Sequence, residues 1–344
     1  MTLPNQNASP LHETADDAAL SVRNLRTYFY TPAGVVKAVD DVSFDLSRSD
    51  ILAIVGESGC GKSVTGLSIM KLIPIPPGRY VSGTVSLDGT DLLPLSDRQM
   101  QSVRGERVAM IFQNPRASLN PSFTVRAQMV ETLRRHDASL SKSQANDHLI
   151  AMLREAGFPD PERVAASYPH QLSGGMCQRV SYALSMACKP DILIADEPTT
   201  ALDVLVQATI LLLLKRAHEE RGLSIVLITH DFGVVRAMAT RVIVMYAGKI
   251  QEQGPAATVL ANAQHPYTKA LIESVPNPDE PKQRLYQIPG QPPDLSRLPK
   301  GCSFAARCSA VMPVCRSRDP ELLPTPSGSL ARCHLFASDS DCPA

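Results

Sequence analysis

Ile51-Leu52-Ala53-Ile54-Val55 runs directly into Gly56-Glu57-Ser58-Gly59-Cys60-Gly61-Lys62-Ser63. Five consecutive apolar residues fit a parallel strand buried on both faces. The eight residues that follow match G-x-x-x-x-G-K-[ST], a loop whose glycines let backbone N–H groups turn inward as a nest for phosphate oxygens. Gly56, Ser58, Gly59, Cys60, Gly61, Lys62 and Ser63 are the expected ATP contacts. Lys62 reaches the β- and γ-phosphates, the Ser63 hydroxyl ligates Mg²⁺, and the helix that starts here adds its positive end. The competing reading is a glycine-rich turn that happens to precede a helix. The full match in a strand-loop-helix setting sets it aside.

A second segment supplies the acids such a loop needs. Ile192-Leu193-Ile194-Ala195-Asp196-Glu197 is a buried strand ending in two carboxylates, about 130 residues downstream. In open α/β sheets ligands bind at that carboxyl rim. Asp196 is expected to hold Mg²⁺ through water and Glu197 to polarise the attacking water. Alone, apolar-apolar-Asp-Glu is common and fits a solvated strand end. After a phosphate loop it reads as a Walker B segment. His230 follows the run Ser224–Thr229 and is placed to bond the γ-phosphate; Gln113 follows another apolar run and is placed to sense γ-phosphate or Mg²⁺. A lone histidine or glutamine after a strand carries little by itself, so both draw their weight from position.

Outward from these segments, residues 20–262 alternate short β runs with helical stretches, the pattern of an α/β domain with a mostly parallel sheet. Val42–Leu46 and Thr84–Leu87 alternate like half-exposed antiparallel strands, and Arg241–Met245 and Lys249–Gln253 read as a hairpin through Ala247-Gly248. Between about 121 and 188 the β signal fades into charged helical segments, a helical insertion. Residues 263–344 form a smaller C-terminal unit. Its stretch 276–326 is rich in proline and polar turns, a loop-built appendage in need of a staple.

Composition bounds the rest. The 344 residues suffice for two domains, and 44% hydrophobic with 20% charged residues is ordinary for a globular protein. Lys plus Arg equals Asp plus Glu at 34 each, so no overall field favours nucleic acid. The start, MTLPNQNASPLHETADD, lacks an apolar core and reads as a disordered lead over 1–19, not a signal peptide. The longest apolar stretch, Val204–Leu214, is broken by Gln207 and Thr209 and falls short of the about 20 residues a bilayer demands. Membrane work is therefore expected to pass through partner chains.

Leu172-Ser173-Gly174-Gly175-Met176-Cys177-Gln178-Arg179 resembles the LSGGQ-type signature of ABC ATPases. The other marks of that family occur in order: Gln113 matches its Q-loop, Ala201-Leu202-Asp203 its D-loop, His230 its switch histidine, and Phe29 its adenine-stacking aromatic. One departure is Met176, where the signature carries Gln. The resemblance implies a P-loop ABC nucleotide-binding domain with an antiparallel β subdomain. It also implies a head-to-tail pair of ATPase subunits, in which Ser173, Gly174, Gly175 and Gln178 face the partner's ATP. His265-Pro266-Tyr267-Thr268 and Gly301-Cys302-Ser303-Phe304-Ala305-Ala306-Arg307-Cys308 resemble the C-terminal extension of dipeptide, oligopeptide and nickel importer ATPases. From it follow the expected partners: a second, distinct ABC ATPase subunit, two transmembrane permease subunits and an extracytoplasmic substrate-binding protein, with this chain peripheral on the cytoplasmic face of the inner membrane. The expected cargo is di- or oligopeptide, with nickel or glutathione uptake, or a soluble non-transport ABC ATPase, as the alternatives.

Cys302, Cys308, Cys315 and Cys333 are separated by five, six and seventeen residues, looser than zinc knuckles. Four thiolates on a loop-rich scaffold suit a [4Fe–4S] cluster or a Cys₄ Zn²⁺ site. The resemblance favours the cluster, since some members of the importer subfamily carry one here. Four reduced thiols in a small core is the plain alternative. Cys342, near the terminus, is a poor ligand candidate.

Overall fold

The apolar run before the phosphate loop lies in the middle of a sheet. In the computed structural model, Ile51–Val55 (β3) pairs in parallel with Ser224–Ile228 (β8) on one side and Arg241–Tyr246 (β9) on the other. The structure describes residues 18–200, 202–275 and 286–337. Most of the expected lead, Ala201, part of the proline-rich stretch and Cys342 lie outside the described residues.

Ile192–Asp196 (β7) continues beside β8, and Val108–Ile111 (β6) closes that edge, all in parallel. Every residue of β3, β7 and β8 is buried, as unbroken apolar runs require. Their side chains divide between two cores by the strand period of two. Leu193, Ala195, Ile225 and Leu227 face the helical core, while Ile192, Ile194, Val226 and Ile228 face the antiparallel sheet.

That second sheet is antiparallel throughout. Ala18–Thr31 (β1) is flanked by Gly34–Ser47 (β2) and Gly78–Leu87 (β4), and Thr90–Asp91 (β5) pairs with β4. The expected strands Val42–Leu46 and Thr84–Leu87 are parts of β2 and β4. The stretch between 121 and 188 carries helices Val125–His136, Lys142–Glu155, Pro161–Ala166 and Gly174–Ser185. Their apolar faces, among them Met129, Leu149 and Leu153, pack with the sheet residues above.

The hairpin forms as read, with Lys249–Pro255 (β10) antiparallel to β9. The tail departs from expectation. Leu330–Arg332 (β12) adds to β10, and Leu322–Pro324 (β11) adds to β12, so one sheet runs β11-β12-β10-β9-β3-β8-β7-β6. The appendage is thus joined to the main sheet by strand pairing. It also shares a core with the main sheet: Tyr246 of β9, Tyr267 and Phe304 are nearly wholly buried. Their ring centroids lie 4.6, 5.3 and 5.2 Å apart. Each such aromatic pair adds about 0.5–1.5 kcal/mol beyond the area it buries.

Candidate active site

The loop after β3 is tight because three of its positions take backbone turns that other residues rarely adopt, and two of them leave no room for a side chain. Gly56, Gly59 and Gly61 have φ of 151°, 78° and 108°. A Cβ at Gly56 would lie 2.2 Å from the Met245 carbonyl oxygen, and one at Gly61 would lie 2.2 Å from that of Ala38. Gly59 instead faces open space. The helix Lys62–Ile69 begins at the loop's end, so first-turn N–H groups without intrahelical acceptors lie next to the loop.

Lys62 is folded onto its own loop. Its Nζ donates to the carbonyls of Gly56 at 2.8 Å and Glu57 at 3.0 Å, and the residue is buried. A cation held by two neutral carbonyls is a ready partner for phosphate. The Ser63 hydroxyl donates to Asp196 Oδ1 at 3.0 Å, joining the loop to the end of β7. Burial raises the Asp196 carboxyl above its ordinary range, and the Ser63 hydrogen bond pulls it partly back. Hydroxyl and carboxylate oxygens converging here are the hard donor set that Mg²⁺ takes.

Glu197 follows in the left-handed region, at φ 47°. A non-glycine residue in that conformation is uncommon and concentrates at functional sites. The turn brings its carboxylate back over the strand end. Oε2 accepts from Gln113 Nε2 at 3.0 Å and from the Thr200 hydroxyl at 2.9 Å. On the other side His230 Nδ1 stands 3.6 Å from Oε1, with its ring 60% exposed. Gln113, Asp196, Glu197, Ser63, Lys62 and His230, drawn from separate stretches of chain, are thereby gathered on one rim.

Other expected residues stand apart from that rim. Ser173 caps the helix Gly174–Ser185, accepting from the Met176 N–H, and is exposed. Among the described residues no hydrogen bond or ion pair joins the Ser173–Gly175 turn to the loop 56–63. Gly175 abuts Val206, where a Cβ would come within 2.8 Å of its methyl carbons. Gln178 is buried and donates to the Pro198 carbonyl at 2.8 Å, which ties the signature helix to the turn after Glu197. Asp203 caps the helix Val204–Arg221 through the Val206 N–H at 3.0 Å. Phe29 is half-buried at the end of β1, between Val36 and Gly78 on the neighbouring strands.

Of the four tail cysteines, Cys302, Cys315 and Cys333 are buried and Cys308 partly so. Burial pushes the Cys302 thiol up to about 12, with Cys315 and Cys333 adding to the effect. Among the described residues no group of three or more His, Cys, Asp or Glu side chains is gathered as a site for one metal ion. A Cys₄ zinc tetrad is therefore not preformed.

Three contributions to the site were not assigned from the sequence. Thr200 shares Glu197 Oε2, Tyr267 Oη accepts from the Glu57 N–H at 2.9 Å, and Arg307 holds the Glu57 carboxylate with two hydrogen bonds of 2.7 and 3.0 Å. Tyr267 and Arg307 fall inside motifs legible in sequence, but nothing local says that they reach the phosphate loop.

Residues 39–200 match the family model described as ABC transporter, and residues 251–315 match that described as oligopeptide/dipeptide transporter, C-terminal region. The chain is 50% identical over 299 residues to the dipeptide transport ATP-binding protein DppD of Bacillus subtilis, covering 87% of this chain and 89% of that protein. It is 44% identical over 322 residues to the oligopeptide transport ATP-binding protein OppD of the same organism, covering 93% and 90%. Among solved structures, a dimeric post-hydrolysis state of the ATP-binding cassette MJ0796, bound to ADP and Pi, aligns with a TM-score of 0.63 at 28% identity. That alignment covers 69% of this chain and 98% of the cassette.

Proposed function

This chain belongs to the family of ATP-binding subunits of ABC transporters, and on that premise we propose that it powers the import of di- and oligopeptides from the cytoplasmic face of the cell membrane. The observation that carries the catalytic part is the convergence beside one glycine loop of the hydrogen bonds Ser63–Asp196 and Gln113–Glu197, with His230 3.6 Å from the Glu197 carboxylate. The peptide cargo rests on the names of the relatives and on the tail they share. No helix among the described residues is long and apolar enough to cross a membrane. Translocation is accordingly assigned to two permease subunits fed by an extracytoplasmic binding protein.

In this reading Gly56 and Ser58–Ser63 surround the phosphates, and Lys62 exchanges its two loop carbonyls for β- and γ-phosphate oxygens. Ser63, Asp196 and Gln113 would hold Mg²⁺, which neutralises charge on the β- and γ-phosphates. Glu197 accepts a proton from the attacking water, while His230 approaches the γ-phosphate from the exposed side. Phe29 stacks on the adenine. Ser173, Gly174 and Gly175, unattached to their own loop, complete the site of a second, related cassette, helped by Gln178 and Asp203. ATP binds the closed pair better than the open one, and hydrolysis removes that preference.

Cys302, Cys308, Cys315 and Cys333 are proposed to hold a [4Fe–4S] cluster. Its chemistry there is cross-linking of loops, for which no redox step is required.

Reconstitution tests the whole reading. Vesicles carrying this chain, a second cassette and two permeases should take up labelled dipeptide in the presence of ATP and the binding protein. Uptake of nickel or glutathione in place of peptide would overturn the cargo. ATP hydrolysis with no uptake of any of them would overturn the transport role.

A further inference from the structure

The second residue of the phosphate loop is held from three directions, two of them by the C-terminal extension. Arg307 Nη1 and Nη2 donate to the Glu57 carboxylate oxygens at 2.7 and 3.0 Å, a two-pronged pairing across 250 residues of sequence. Tyr267 Oη accepts the Glu57 N–H at 2.9 Å. The Glu57 carbonyl accepts from Lys62 Nζ at 3.0 Å and from the Cys60 N–H at 3.3 Å. One residue thus joins the tail to the lysine that faces the nucleotide.

The pairing is built to be rigid. The Arg307 side chain is only 6% exposed and that of Glu57 22%. Arg307 also donates Nε to the Pro289 carbonyl at 2.9 Å and Nη1 to Tyr246 Oη at 3.2 Å. Its guanidinium lies 5.8 Å from the Tyr246 ring and 6.0 Å from the Phe304 ring, which are themselves packed against Tyr267. Arg307 sits in the turn between Cys302 and Cys308, and the Cys302 N–H donates to the Cys315 carbonyl at 2.8 Å. Arginine suits this place because its planar fork matches a carboxylate in two bonds, which a lysine ammonium cannot do.

The consequence concerns the loop's N–H groups. A nest binds phosphate only while successive N–H groups point at one centre. Tyr267 takes the Glu57 N–H outward, and Arg307 anchors that residue's side chain on the same side. Next in the loop, the Cys60 N–H closes onto the Glu57 carbonyl, so the course of the chain through Ser58 and Gly59 is fixed by a residue that the extension holds. We propose that Arg307 and Tyr267 are positioning residues for nucleotide binding, through which the C-terminal extension sets the conformation of the phosphate loop. The inference rests on the reading of residues 56–63 as the ATP phosphate site.

Titration of full-length protein with mant-ATP and Mg²⁺, beside thermal melts, tests it. Arg307→Met, which keeps the apolar stem, is expected to weaken nucleotide binding roughly tenfold or more, the worth of charged hydrogen bonds. Arg307→Lys should recover part of the loss. Glu57→Ala should weaken binding too, and the double variant should bind no worse than the weaker single, since both break one contact. Tyr267→Phe, which leaves the buried ring in place, should weaken binding by a smaller factor with little change in Tm; it also decides the matter if Arg307→Met does not fold. Parental affinity in both Arg307→Met and Tyr267→Phe, or in Tyr267→Phe when Arg307→Met does not fold, overturns the proposal, as do fully additive effects of Arg307→Met and Glu57→Ala. A parent chain that binds no mant-ATP, or a Lys62→Ala variant that binds as well as the parent, instead removes the reading of the loop itself.

Discussion

Gln113 Nε2 donates to Glu197 Oε2 at 3.0 Å, across 84 residues of sequence. Gln113 stands at the exit of β6, directly before the helix Pro115–Ser118 and the helical stretch that follows. Glu197 stands at the exit of β7, beside Asp196. Neighbouring parallel strands therefore deliver a residue from the helical side and the expected catalytic acid to one hydrogen bond. A displacement of the helical stretch that withdrew Gln113 would remove one of the two hydrogen bonds to Glu197 Oε2 and leave the one from Thr200. The bond is a physical route by which the proposed contact of the helical stretch with a permease would reach the proposed water-activating group.

Glu197→Gln should lower ATP turnover by about 10²–10⁴-fold, the range expected when a general base is lost. The amide keeps the shape and can still bond Thr200 or Gln113, so nucleotide affinity should stay near the parental value. Phosphate release, mant-ATP titration and light scattering together check this. ATP should trap the variant as a closed dimer with itself or with its partner cassette, and turnover at the parental rate would remove Glu197 from the catalytic role.

The glycines of the loop differ in why they are needed, and that difference is measurable. Gly61→Ala would put a Cβ 2.2 Å from the Ala38 carbonyl oxygen at φ 108°, whereas Gly59→Ala meets only the cost of φ 78°. Backbone strain of this kind costs about 1–3 kcal/mol, and the added clash makes Gly61→Ala the more severe. Urea unfolding should rank the parent above Gly59→Ala, and Gly59→Ala above Gly61→Ala. Equal stability of the two variants would show that close approach to Ala38 is not what the position requires.

How much of this was legible in the sequence follows from the range over which each device acts. The phosphate loop, the two acids after Ile192–Ala195 and the Ser173 turn are local, with neighbouring residues doing one job, so spacing reveals them. β3, β7 and β8 were readable because burial on both faces leaves an unbroken apolar run. β12 was not, because three residues carry no period and its pairing depends on the free edge of β10. Arg307 and Glu57 each fall within a motif, but their contact depends on how the tail folds over β9. The Pro-rich composition gave no sign of the strand Leu322–Pro324, nor that Tyr267 and Phe304 would bury with Tyr246.

Protein kept anaerobic through purification should carry about four irons and four sulfides per chain, lost in Cys308→Ser. Stoichiometric zinc in their place would keep a staple but change its chemistry. Four free thiols in metal-free, folded protein would leave the tail to its strands and its aromatic core. Because Arg307 lies between Cys302 and Cys308, the same Cys308→Ser protein should also bind mant-ATP more weakly than the parent.

Stability toward acid provides a test that needs no nucleotide. His265 is buried at 1% exposure, and burial holds its imidazole down to about 3, against an ordinary value of 6.5. Its Nδ1 accepts the Tyr267 N–H at 3.0 Å, so the neutral ring caps the helix Pro266–Glu273. The unfolded chain binds a proton at 265 below about pH 6.5, while the folded chain does so only near pH 3. Unfolding therefore takes up a proton in that window, and stability falls as pH drops through it, by at most about 1.4 kcal/mol per pH unit from this group. An asparagine side-chain oxygen can serve as the same cap acceptor without titrating. His265→Asn should thus lose less stability than the parent between about pH 7 and pH 5 in urea unfolding, whatever its stability at neutral pH. Parallel losses in the two proteins would mean that His265 is not the group that titrates on unfolding.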